Sequence, residues 1–139
     1  MTVLTGQRES SDCVLASIAS YCGTDYERVW EVYHKSMGQY LSADGIPSGH
    51  IPRIAKYFGR RFKMRTGRPH GKSILIVRFH EKDFTHSMAC GDSSWLHAVY
   101  FDGVNIFDPL MSNTSPNFLT TEHYLQKTEF WYKHRGRFL

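Results

Sequence analysis

The apolar residues of this chain recur at helical spacing as far as Phe58 and at every second position from Phe62 onward, and this change of period limits the fold more than any other feature. Val14, Leu15, Ile18, Ala19 and Cys22 share one face of a helix that Ser11 or Asp12 can cap and Gly23 can close. "TDYE" at 24–27 reads as a capping box of Thr24 and Glu27, opening a second helix with Tyr26, Val29, Trp30 and Tyr33 on one side. Ser48 precedes a third, built on Ile51, Ile54, Ala55 and Phe58, with Pro52 in its first turn and Gly59 as its stop. Beyond it, "RFKMRT", "SILIVRF", "WLHAVYF" and "VNIFDPL" read as strands, "TTEHYLQ" from 120 as a short helix and "TEFWYKH" as a last strand. Helices gathered in the first half and strands in the second predict an α+β fold. At 139 residues, 41% of them apolar, with no repeat, linker or low-complexity tract, the chain is expected to be one domain over 1–139 whose core needs no disulfide or metal.

The hairpin carries the most positional information. Asp102-Gly103 is a favoured two-residue turn, and a two-residue turn sets the register by arithmetic. Phe101 is then expected to face Val104, Val99 to face Ile106 and His97 to face Asp108, with Pro109 ending the pairing. Directly opposed residues have Cβ atoms about 4.5–5.5 Å apart, so the carboxylate of Asp108 can hold one ring nitrogen of His97 and orient the imidazole. Taken singly, His97 is an ordinary strand histidine and Asp108 a turn former. Their shared face is what joins them.

Cys13 stands at the start of the first helix, six residues after Gln7. A sulfur at a helix N-terminus meets the positive end of the macrodipole and unpaired backbone N–H groups, both of which favour thiolate over thiol. Alone, such a cysteine is more often a small buried hydrophobe. With His97 in reach and Asp108 behind it, it becomes an activated nucleophile, and Gln7, together with the N–H of Cys13, can donate to the oxyanion formed when the thiolate attacks a carbonyl. The three cysteines, Cys13, Cys22 and Cys90, show no paired spacing and are read as free thiols of a reducing compartment. His80, His86, Cys90 and His97 lack the spacing of a zinc motif, so neither metal nor cofactor is expected.

In their order along the chain, Gln7, "DC" at 12–13, the small-residue helix ending "YCG", then "LHAVYFDG" and "IFDP", these residues resemble the papain-like cysteine peptidases. The similarity is greatest to the bacteriocin-processing branch that trims double-glycine leader peptides. The resemblance implies a papain-like α+β fold over nearly the whole chain: an N-terminal helical lobe carrying the cysteine, packed on a C-terminal antiparallel sheet carrying histidine and aspartate. It also implies Cys13, His97 and Asp108 as catalytic residues, Gln7 in the oxyanion hole, and a peptide or protein substrate. Val14, where many members have a smaller residue, and the long segment "HEKDFTHSMACGDSS" depart from the family pattern.

The net charge of +4 is unevenly spread, with nine basic and no acidic side chains between 46 and 80. Most such runs are solvated faces; Arg53, Arg60, Arg61, Lys63 and Arg65 are the candidate contacts should the block meet an anionic partner. Three function classes follow: a peptidase acting through a thioester; a related acyl-transfer enzyme, such as an isopeptidase, deamidase, acyltransferase or cell-wall amidase; and a non-enzymatic module holding nucleic acid or another polyanion. The last ranks behind the others because few aromatic residues interleave with the arginines. No segment reads as a signal peptide or membrane span, the longest aliphatic run being "ILIV" at 74–77. A soluble cytoplasmic protein is the expectation, with secretion by another route left open.

Overall fold

In a computed structural model, the structure describes residues 13–37, 49–80, 94–109 and 120–135. Three helices come first: α1 (Cys13–Cys22), α2 (Tyr26–Met37) and α3 (His50–Ala55), the last continuing into a 3-10 turn at Lys56–Phe58. Strands β1 (Phe62–Arg65), β2 (Lys72–His80), β3 (Ser94–Asp102) and β4 (Ile106–Phe107) follow, then α4 (Thr121–Gln126) and β5 (Thr128–His134). The strands form one antiparallel sheet in the order β1-β5-β2-β3-β4. The fold is therefore α+β. The last strand does not join an edge; it inserts between β1 and β2.

Local chemistry explains the element ends. Gly23 takes φ 68°, a left-handed conformation open to glycine, and the N–H of Thr24 reaches back to the carbonyl of Ala19 at 3.0 Å. That is a Schellman closure of α1. Thr24 is thereby committed to α1, and the cap of α2 moves one residue on: Asp25 Oδ1 accepts from the N–H of Arg28 at 2.9 Å, in place of the Thr24–Glu27 box the sequence suggested. Gly59, at φ 75°, closes the turn after α3 in the same way. At α4, Thr120 Oγ1 accepts from the N–H of His123 at 3.1 Å.

Both sheet faces are covered, which is why β2 reads as a continuous apolar run. Ile74, Ile76, Ala98, Tyr100 and Tyr132 pack on α1, α2 and α3, while Leu75, Val77, Val99, Phe101 and Trp131 pack with Tyr124 of α4. Helix α1 is buried almost throughout. Leu15, Ala16, Ile18 and Ala19 are each 0% exposed, the small residues allowing close approach to the strands. Burying Leu15 and Ile18 contributes roughly 1.5–3 kcal/mol each. On α2, Tyr26, Val29 and Tyr33 are buried as their spacing requires, but Trp30 is 41% exposed and rests on His34, with ring centroids 3.8 Å apart. No described helix is long and apolar enough to cross a membrane.

The hairpin differs from its expected register. Tyr100 faces Phe107 and Phe101 faces Ile106, so the two turn residues are Gly103 and Val104 rather than Asp102 and Gly103. The reason lies in Asp102. A turn centred on Asp102-Gly103 would need positive φ at both, and among the described residues positive φ occurs at glycines alone. In the observed turn Gly103 takes φ 104°, Asp102 donates its N–H to Asn105 O at 3.1 Å, and its Oδ1 accepts from the N–H groups of Val104 and Asn105 at 2.8 and 2.7 Å. Sliding the pairing by two positions keeps every side chain on its face. His97, Val99, Phe101, Ile106 and Asp108 still point the same way, while Val104 sits at the turn tip, 73% exposed.

Candidate functional site

Strand β4 is two residues long because Pro109 cannot extend a ladder and restricts the residue before it. Past its end, the N–H of Ala98 on β3 has no strand partner among the described residues and donates instead to Sγ of Cys13 at 3.4 Å. The first residue of α1 thus places its sulfur at the sheet edge, in the gap left by the short strand. The ring of His97, one residue earlier on β3, lies close enough to Cys13 for the sulfur to act on it. Its Nε2 donates to Asp108 Oδ1 at 2.6 Å. In the observed register Val99, not His97, lies across from Asp108, so the carboxylate reaches the ring along the diagonal, a separation of about 7–8 Å that these two side chains span. His97 and Asp108 are buried, at 5% and 7% exposure.

The carboxylate has a second partner. Tyr124, on the buried side of α4, donates its hydroxyl to Asp108 Oδ2 at 2.7 Å. Helix α4 is itself held by the Thr120 cap, by Thr128 Oγ1 donating to Tyr124 O at 2.9 Å, and by a two-pronged contact in which Arg68 donates to Glu122 at 2.8 and 2.9 Å. Nothing in the sequence pairs Tyr124 with Asp108. The only legible signal is an aromatic hydroxyl on the inward side of a capped short helix; its partner is set by packing between elements distant along the chain.

Electrostatics follow from this geometry. Burial, the largest single influence on His97, favours the neutral ring, yet the charge of Asp108, the charge of Cys13 and hydrogen bonds to both outweigh it and hold the imidazolium well above the ordinary histidine range. Burial and then the Asp108 charge push the Tyr124 hydroxyl upward, so it stays a donor at any working pH. Cys22, at the other end of α1, is pushed up to about 11 by burial, against smaller opposing effects of Arg60 and Lys72.

Of the candidate residues, Cys13, His97 and Asp108 come together, while Gln7 lies outside the described residues. The basic block divides. Arg68 and Arg78 pair with Glu122 and Glu129. Arg60 donates to Phe58 O at 3.1 Å and sits near Cys22. Arg53 is exposed on α3, Arg61 is exposed beside His134, and Arg65 lies 5.7 Å from the Trp131 ring. Lys63 faces Lys133 across the β1–β5 pair. Lys63 and Arg65 are on an edge strand three positions from β3, about 14 Å at the usual strand spacing, so neither reaches Cys13. His86 and Cys90 lie outside the described residues, and among those described no group of three or more His, Cys, Asp or Glu could hold a metal ion.

Comparison of the chain with family models, curated proteins and solved structures finds no match in any of the three. Chemical inference therefore rests on the site. A buried imidazolium with a thiol on one side and a carboxylate on the other can stabilise a thiolate, hand a proton to a leaving group and take one back from water.

Proposed function

We propose that this protein is a papain-like cysteine peptidase in which Cys13 is the nucleophile, His97 the general acid and base, and Asp108 the residue that orients His97. The observation that supports this reading best is the buried His97 ring held by Asp108 at 2.6 Å, with Cys13 Sγ beside it on the neighbouring Ala98 N–H at 3.4 Å. The Cys13 thiolate attacks the scissile carbonyl carbon, and the oxyanion is held by the Cys13 N–H and by Gln7, the donor the family resemblance implies. Collapse of the tetrahedral intermediate breaks the C–N bond as His97 gives its proton to the leaving amine, leaving a thioester. His97 then takes a proton from water, the hydroxide attacks the thioester, and the carboxylic acid leaves as the thiolate reforms.

Incubation with a diverse peptide mixture tests the reading, with cleavage products read by mass spectrometry and a peptidyl electrophile used to trap Cys13. Cleavage that vanishes in Cys13→Ala and His97→Ala is the expected result. Release of ammonia, or opening of an isopeptide or cell-wall amide instead, assigns the same machinery to the related acyl-transfer class. Trapping at Cys22 or Cys90 with none at Cys13 would overturn both.

A further inference from the structure

Asp108 is buried with both oxygens occupied, Oδ1 by His97 at 2.6 Å and Oδ2 by the Tyr124 hydroxyl at 2.7 Å. A buried carboxylate oxygen deprived of its donor costs about 1–3 kcal/mol and turns toward water if it can. Asp108 also lies one residue beyond the last described ladder pair of β4. From these facts we propose that Tyr124 is a positioning residue: by occupying Oδ2 it holds the carboxylate so that Oδ1 stays on His97, and α4 thereby governs the ring that faces Cys13. This gives α4 a purpose beyond covering Leu75, Val77 and Val99. The inference takes its catalytic meaning from the peptidase reading, but the contact it describes can be tested without turnover.

Among the described residues, Cys13 from α1 and Asp108 from the end of β4 act on the ring, Tyr124 of α4 stands behind Asp108, and β2 presents apolar Leu75 and Val77 on that side. Tyr124→Phe in the full chain keeps the ring volume in its apolar setting and removes the hydroxyl alone. Two quantities are then measured: the titration of the His97 ring nitrogens by NMR, and the rate of Cys13 alkylation by iodoacetamide at pH 6, read by intact mass. The His97 midpoint is expected to fall by about one pH unit and alkylation to slow by roughly tenfold, since one pH unit is one factor of ten in thiolate. In Asp108→Asn the further change Tyr124→Phe is expected to add little, because residues acting through one another are not additive. A lower melting temperature with an unchanged or raised His97 midpoint would sink the proposal and leave Tyr124 a packing residue. If the parent cleaves no peptide and yet these shifts appear, the peptidase reading fails and the positioning role stands.

Discussion

Two cysteines nine residues apart in one helix make the sharpest contrast at the residue scale, because they share an element and differ in the groups around them. Cys13 accepts a backbone N–H and faces a histidine held as its cation, whereas Cys22 is pushed up to about 11 by burial and has no thiolate to offer near neutrality. Labelling with iodoacetamide at pH 6 is therefore expected to modify Cys13 and to spare Cys22; equal labelling of the two would remove the basis of the enzyme reading. The same geometry fixes the direction of the pH dependence. His97 keeps its proton above the ordinary histidine range, so turnover is expected to hold through neutrality and fall only as rising pH takes the ring through its raised value. Asp108→Asn, which removes the charge sustaining the imidazolium, should move that alkaline limb toward lower pH. A limb that stays in place would show that Asp108 does not act on the ring.

At the scale of elements, the β3–β4 hairpin shows how a local error can leave the functional inference intact. The turn lies one residue further along than its most favoured dipeptide suggests, because Asp102 serves better outside the turn, accepting two amides, than within it at positive φ. The slip is by two in pairing, so His97 and Asp108 remain on one face and meet diagonally. Gly103 is expected to be intolerant for reasons of backbone conformation rather than crowding: at φ 104° an added Cβ would meet neighbouring backbone at an ordinary 3.6 Å. Gly103→Ala should destabilise the fold by about 1–3 kcal/mol in denaturant unfolding, and Val104→Ala, at the exposed tip, by less than about 0.5 kcal/mol. Comparable costs for the two would contradict the observed register.

For the molecule as a whole, α1 acts as an axis with different electrostatics at its two ends. Its last turn holds no basic residue of its own, but the tertiary structure brings Arg60 and Lys72 beside Cys22, where cations suit the negative end of the helix dipole. Lys72 Nζ also lies 4.6 Å from the Tyr21 ring centroid, and the Tyr21 hydroxyl accepts the N–H of His134 at 3.2 Å. This arrangement gives part of the basic block a structural role at the end of α1 opposite the candidate site. Ten residues at 1.5 Å rise separate those ends by about 14 Å, beyond the screening length of about 8 Å at physiological ionic strength. Reversing Arg60 and Arg61 to Glu is thus expected to lower stability by about 0.3–1 kcal/mol per helix-end charge and to leave the rate of Cys13 alkylation within about twofold of the parent. A large change in that rate would mean that the block acts on the site directly.

What the chain determined by itself is whatever depends on near neighbours: the helical and alternating periods, the glycine stops after Cys22 and Phe58, the strands over 73–79 and 128–134, and the common face of His97 and Asp108, which survives any even slip of register. Only the tertiary structure decided how distant pieces meet. The meeting of Cys13 with β3 crosses a sequence separation of 85 residues, through the backbone amide of Ala98 past the end of the short β4. The insertion of β5 between β1 and β2, the docking of α4 and the reach of Tyr124 to Asp108 likewise depend on which buried faces fit together. Periodicity reports that a face is buried but carries no label for its partner, since apolar burial is non-directional and the polar contacts within it are fixed only once the packing is complete.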